Sequence, residues 1–167
     1  GGFTRKNFDG VFMTASCVLP ADFNKDGLPD LYIGARAKPW NYGVTPASYL
    51  LLNKGGGNFE DVTDKIGGGL RDAGLVKNGA WADMDADGDP DLVLAIEWEP
   101  PTIFVNDNGS FKKQVLNDMS GWWNFMLPCD FDGDGDLDLL AGNLGENNKF
   151  HASPEQPLRL YVADFDD

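Results

Sequence analysis

The sequence predicts an all-β chain built from four-stranded antiparallel sheets that repeat along its length. Three observations predict it. A nine-residue acidic segment recurs as DFNKDGLPD, DMDADGDPD and DFDGDGDLD, starting at Asp22, Asp83 and Asp130. Each copy stands between short apolar runs of β character rather than helical period. The 21 glycines and 10 prolines are spread between those runs, which implies many turns and many short strands. At 167 residues the chain is long enough for one domain with a sizeable core.

The elements follow in order. Residues 1–10 carry no pattern. VFMTASCVLPAD reads as a strand entering the first acidic loop, and LYIGAR (31–36) as the strand leaving it. After a turn-rich stretch with Pro39 and Gly43, SYLLLNKGGGNFEDVTDKI reads as a hairpin, with strands at 48–53 and 59–64 and a glycine turn at 55–57. The cycle then restarts: GAWAD (79–83) enters the second loop and LVLAIEW (92–98) leaves it. TIFVNDNGSFKKQV forms the next hairpin, turning at Asn108–Gly109. In the third round WWNFMLPCD leads in and LLAGNLG (139–145) leads out. ENNKFHASPEQP is irregular, and LRLYVADFDD ends with Asp164 and Asp166 at positions 1 and 3 of a fourth copy.

Aligned on the first aspartate, the copies also agree at apolar positions. The preceding residue is small (Ala21, Ala82, Cys129, Ala163), and position 2 is large and apolar (Phe23, Met84, Phe131, Phe165). Position 6 is Gly27, Gly88 and Gly135, and position 10 is Leu31, Leu92 and Leu139. Acid-rich segments in solvated loops would not keep apolar residues in step, so this is a structural repeat. Each full unit holds about four strands in about 50 residues, the dimensions of a propeller blade. The predicted blades span 11–66 and 79–116, with a partial blade at 122–150 and the start of another at 158–167. A propeller closes with about 4–8 blades. Residues 1–167 are therefore expected to be a fragment of a longer β-propeller, whose remainder, or neighbouring chains, would cover the outer blade faces.

Four acids so close in sequence repel one another unless a cation sits between them. An all-oxygen donor set with flexible geometry favours calcium, at about three sites. The predicted side-chain ligands are Asp22, Asn24, Asp26 and Asp30 in the first loop, and Asp83, Asp85, Asp87 and Asp91 in the second. Asp130, Asp132, Asp134 and Asp138 take those places in the third. Position 7 varies between apolar and acidic, so Leu28, Asp89 and Asp136 are assigned as ligands through the backbone carbonyl alone. Glycine at position 6 allows the sharp turn that wraps one ion. An EF-hand or dockerin loop needs an acid at position 12, where this chain has Ile33, Leu94 and Ala141.

The net charge of −14 makes nucleic acid and anionic membranes poor partners, although much of the acidity lies in the metal loops. No apolar run approaches the ~18 residues of a membrane span, so membrane insertion is not expected. Cys17 and Cys129 form no zinc-type motif and are read as buried free thiols, with a disulfide as the alternative. The chain opens at GGFTRKNF without a signal peptide or initiator methionine, as a mature or excised segment would. Loops of this kind serve best where calcium is abundant, which points to an extracellular, cell-surface or periplasmic location.

These loops resemble those of the FG-GAP or VCBS repeats of integrin-α-like propellers. SYLLLNKGGGNFEDVT, GAWADMDADGDPDLVLAIEW, GWWNFMLPCDFDGDGDLDLLAGNLGENN and LRLYVADFDD further resemble the bacterial, Bacteroidetes-type VCBS-repeat proteins related to ASPIC/UnbV-associated propellers. The resemblance covers nearly the whole chain from about Val11. It implies an exported, calcium-stabilised propeller and fixes no ligand. Asn24 departs from the pattern and makes the first site less anionic.

Equivalent aspartates in three blades cannot all form one active site, so they are read as ligands rather than as the paired carboxylates of a glycosidase. No catalytic residue is assigned. His151, the single histidine, is read as a surface residue, and Asn143, Asn147 and Asn148 as a turn scaffold. Glu97–Trp98–Glu99 and Trp122–Trp123 are read as packing between blades, with stacking on sugar rings as the alternative. The expected role is a non-catalytic binding or scaffold module toward glycan or protein. The alternatives are part of a calcium-dependent polysaccharide lyase or hydrolase with catalytic residues in other blades, or a purely architectural spacer.

Overall fold

The structure, a computed structural model, describes residues 5, 7, 11, 13–116, 119–145, 149, 151–153 and 155–163. Three antiparallel sheets follow one another. The first is the meander β1 (Thr14–Ala21), β2 (Asp30–Ala37), β3 (Tyr49–Asn53) and β4 (Phe59–Asp61). The second is β5 (Leu75–Ala82), β6 (Asp91–Glu97), β7 (Thr102–Asp107) and β8 (Ser110–Val115). The third pairs β9 (Trp123–Cys129) with β10 (Asp138–Asn143). These are propeller-type blades. Among the described residues no helix is long and apolar enough to cross a membrane.

One register rule positions all three acidic loops. The residue before each first aspartate pairs with the closing aspartate: Ala21 with Asp30, Ala82 with Asp91, Cys129 with Asp138. Each loop is thus the connection of a hairpin, and its ninth residue is the first rung of the ladder. The next rung places Leu31, Leu92 and Leu139 opposite Pro20, Trp81 and Pro128.

β6 explains why the central blade reads as a continuous apolar run: every one of its residues is buried. A strand covered on both faces needs no polar alternation. Leu92, Leu94 and Ile96 pack toward the first blade with Phe23, Tyr32, Leu50 and Phe104. Val93 and Ala95 pack toward the third with Trp123 and Met126. β9 has only one covered face: Met126 is buried, whereas Phe125 and Leu127 are 43% and 49% exposed.

The position-2 side chains explain their own apolar character. Phe23 is 1% exposed, stacked on Trp81 with ring centroids 6.4 Å apart and edge-on to Phe111 at 5.5 Å. Trp81 and Phe111 belong to the second blade, so the loop of one blade plugs into the next. Met84 does the same toward the third blade. Phe131 meets no such neighbour among the described residues and is 56% exposed.

The blades are also joined by polar contacts. Trp81 Nε1 donates to Leu19 O at 3.1 Å, and Ser16 Oγ to Val76 O at 2.6 Å. Glu97, 4% exposed, takes Lys77 Nζ at 2.9 Å, Arg36 Nη2 at 3.3 Å and the Tyr42 hydroxyl at 2.8 Å. Burial pushes its carboxyl up, but the Lys77 and Tyr42 hydrogen bonds and the two cations together hold it below the ordinary glutamate range.

Three expectations are corrected. The strand expected at 59–64 ends at Asp61, because Asp61 Oδ1 accepts both the N–H and the hydroxyl of Thr63 and turns the chain into α1 (Thr63–Ile66). A single 3₁₀ turn, Leu70–Asp72, follows the glycines at 67–69. β5 begins at Leu75 rather than Gly79, since a register shift between Val76 and Asn78 lets the strand continue through polar residues. Both cysteines are free but neither is fully buried: Cys17 is half-buried, and Cys129 is exposed on the uncovered face of β9 that it shares with Phe125 and Leu127.

Two predictions test this packing. Phe23→Ala is expected to cost about 3–5 kcal/mol in urea unfolding, while Phe131→Ala costs less than about 0.5 kcal/mol; equal losses would mean that position 2 does not plug the next blade. Glu97→Gln is expected to cost about 1–3 kcal/mol at neutral pH. A depressed folded pKa stabilises above the unfolded value of about 4.3, and that stabilisation is lost as pH falls through the folded value. The difference between wild type and variant should therefore be full above about pH 5 and shrink below about pH 4.

Candidate metal centres

Each acidic loop wraps its own carboxylates with its own backbone. Positions 4 and 6 are left-handed in all three: Lys25 (φ 58°) and Gly27 (87°), Ala86 (59°) and Gly88 (88°), Gly133 (78°) and Gly135 (98°). Position 6 requires glycine's freedom most directly, since its N–H must point back at the first aspartate. Gly27, Gly88 and Gly135 donate to Asp22, Asp83 and Asp130 Oδ2 at 2.8, 2.9 and 3.1 Å. The position-5 carboxylates accept the N–H of position 7: Asp26 from Leu28, Asp87 from Asp89, Asp134 from Asp136, at 2.8–2.9 Å.

The closing aspartate ties the loop to the sheet. Its Oδ2 accepts the N–H of position 2, from Phe23 to Asp30 at 3.2 Å, Met84 to Asp91 at 2.8 Å and Phe131 to Asp138 at 2.9 Å. In the two complete blades its Oδ1 accepts a second N–H, from Asn53 or Asn106, each at 2.7 Å. Asp30 and Asp91 are 0% exposed. Burial pushes both carboxyls up; the backbone hydrogen bonds counter this, and the neighbouring aspartates Asp26 and Asp22, or Asp85 and Asp87, raise them further.

Carboxylate oxygens of Asp83, Asp85 and Asp91 lie within 4.8 Å of one another, as do those of Asp130, Asp132 and Asp138. The structure thus brings together positions 1, 3 and 9 of the second and third loops. Asp87 and Asp134 stand outside these groups. In the first loop Asn24 offers an amide oxygen at position 3; it accepts the Asp26 N–H at 3.1 Å, as Asp85 does from Asp87 at 3.3 Å. Its Nδ2 donates to Asp26 Oδ2 at 3.0 Å, which removes one like-charge contact. Of the six carboxylates in the two groups only Asp91 is buried, but in both groups like charges converge with only N–H groups of the loop to oppose them, an arrangement that fits a hard divalent cation.

The position-7 side chains are not gathered into these centres. Asp89 is ion-paired with Lys25 and accepts the Asn108 N–H at 2.7 Å; the Lys25 contact, then that N–H, holds its carboxyl below the usual range. Leu28 is 37% exposed and Asp136 is exposed. Asp164, Phe165 and Asp166 of the fourth copy lie outside the described residues, as do Asn147 and Asn148.

Asn53 and Asn106 were not anticipated. Besides binding the closing aspartate, their Nδ2 groups donate to Pro29 O at 2.8 Å and Pro90 O at 3.1 Å. The signal was an asparagine two residues beyond the third-strand partner of Leu31 and of Leu92 in the two complete blades, visible only once the blades are superposed. The remaining candidates are accounted for by packing. Trp123 is buried, Trp98 meets Trp122 edge-on at 5.3 Å, and the Glu97 carboxylate is filled by Lys77, Arg36 and Tyr42. His151 is exposed, and Asn143 Oδ1 accepts the Gly145 N–H at 3.2 Å within a turn.

Asn106→Ala is expected to lower unfolding stability by about 1–3 kcal/mol even without metal, because Phe23 O and Pro90 O lose a buried donor. A loss below about 0.5 kcal/mol would remove the residue from the support of the loops.

Comparison with curated proteins returns no match. The model of the FG-GAP-like repeat matches twice, over residues 22–94 and 83–141. Each match runs from one acidic loop to the strand beyond the next, so the two share the second loop and follow the repeat seen in the fold. The chain belongs to the FG-GAP-like repeat family.

Proposed function

We propose that this chain is a calcium-dependent β-propeller module of an exported or surface protein, serving a non-catalytic binding or scaffold role toward glycan or protein. The observation that carries the reading is the convergence of three carboxylates within 4.8 Å in each of two loops, on hairpins whose closing aspartate is desolvated or tied to backbone N–H groups. Side chains at positions 1, 3, 5 and 9 and the carbonyls of Leu28, Asp89 and Asp136 would hold the ion. A bound calcium supplies two positive charges where the backbone alone leaves the carboxylates opposed by partial charges. The chain's own part is to fix the donors: position 6 aims its N–H at the first aspartate, and the closing aspartate locks the loop to the ladder.

The repetition itself speaks for scaffolding over catalysis, since each loop is built alike and serves its own blade. Ion binding that holds hairpins together is also folding free energy, which suits a compartment rich in calcium. The bacterial VCBS-type assignment within the family rests on the strand segments around the loops. Recognition would then fall to the less regular connections between blades.

Calorimetric calcium titration is expected to give about three sites per chain. Each adds about 2.7 kcal/mol at a calcium concentration a hundredfold above its dissociation constant. A stoichiometry near zero would overturn the metal reading. Asp85→Asn should lose stability in calcium but little in EDTA, whereas Asp91→Asn should lose it in both, because Asp91 also binds Met84 and Asn106. Screening against glycan arrays and polysaccharides, with and without EDTA, tests the role: polymer cleavage by this chain would overturn the non-catalytic reading.

A further inference from the structure

The boundary between the first two blades carries two contacts beyond those that shape a single loop. Lys25, at position 4 of the first loop, reaches the Asp89 carboxylate at position 7 of the second. Asp89 is only 5% exposed, and its remaining oxygen takes the Asn108 N–H. The Phe23 carbonyl, at position 2 of the first loop, accepts Asn106 Nδ2 at 2.9 Å. Asn106 is 0% exposed and in turn holds Asp91 and Pro90 of the second loop. Positions 2 and 4 of one loop are thereby fastened to positions 7, 8 and 9 of the next. The second loop has Ala86 at position 4, so the corresponding ion pair to the third loop cannot form.

We propose that the first two acidic loops bind divalent cations cooperatively, occupancy of the first raising the affinity of the second through Lys25 and Asn106, while the third loop binds independently. This rests on the calcium reading above. Phe23 and Lys25 alternate along the chain with the ligand positions Asp22, Asn24 and Asp26. Wrapping those three around one centre therefore also fixes the Phe23 carbonyl and the left-handed Lys25 backbone. The second loop then meets partners already in place, and less ordering entropy remains to be lost when it fills. The positive charge of Lys25 opposes a cation nearby, and the comparison below separates that effect from the ordering.

The test is calcium titration of the full chain followed by ¹H–¹⁵N NMR at the amides of Gly27, Gly88 and Gly135. Each donates to the first aspartate of its own loop, so the loops report separately. In wild type the Gly27 and Gly88 curves are expected to coincide and to be steeper than a one-site curve, with Gly135 following one-site binding. Disabling the first loop with Asp22→Asn and Asp26→Asn should move the Gly88 midpoint to about 5–20-fold higher calcium and the Gly135 midpoint by less than about twofold. On a Lys25→Met background the same double substitution should move Gly88 by less than about threefold. Lys25→Met alone, at a side chain 55% exposed, should make the Gly88 curve shallower, the Asn106 contact leaving only a residual of the steepness, and this arm stands even if the disabled loop prevents folding. Three wild-type amides that titrate independently, or an unmoved Gly88 midpoint in the disabled loop, would overturn the coupling and leave the calcium reading intact. No response of any amide to calcium would overturn both.

Discussion

A carboxylate that is out of water at the first rung of a β-ladder is the constraint on which this structure depends. Asp30 and Asp91 are fully buried, yet each is ringed by further aspartates of its own loop. Two backbone N–H groups hold each one in place but bring only partial charge. Everything around the closing aspartate follows from that demand. The loop turns through left-handed positions to aim N–H groups inward, and the third strand carries an asparagine at or next to its end. The residue before the loop is small where it faces the aspartate across the ladder.

The same hairpin solves a packing problem. A four-stranded sheet alone leaves an apolar face in water, and here the loop's second residue carries the seal from one blade to the next. Phe23 lies between Trp81 and Phe111, so the electrostatic centre of one blade and the hydrophobic boundary of its neighbour are consecutive residues. Backbone, apolar and charged contacts cross that boundary within one loop. Folding of a blade and closure of its acidic loop are for that reason hard to separate.

Much of this was legible in the sequence because its cause is local. Three in-register copies of the acidic segment give the loops and their flanking strands, and the Asn108–Gly109 pair gives its hairpin, without reference to anything distant. What escaped depends on contacts across the fold. The break after Asp61 comes from a carboxylate turning back on Thr63 two residues ahead, which strand-like composition conceals. Asn53 and Asn106 look like ordinary turn residues until the ladder brings them to the closing aspartate. The Glu97 cluster unites Arg36, Tyr42 and Lys77 from three different segments, and no spacing along the chain announces it.

The cover on the strands is graded, and this gives the chain an order of opening. β6 is buried along its whole length, whereas β10 alternates between half-buried and exposed residues on a two-stranded sheet. Amide protons of β6 can exchange only when two blade boundaries part, but those of β10 need only one to loosen. Exchange should therefore leave the central strand as the last protected of the described strands, after both β1 and β10.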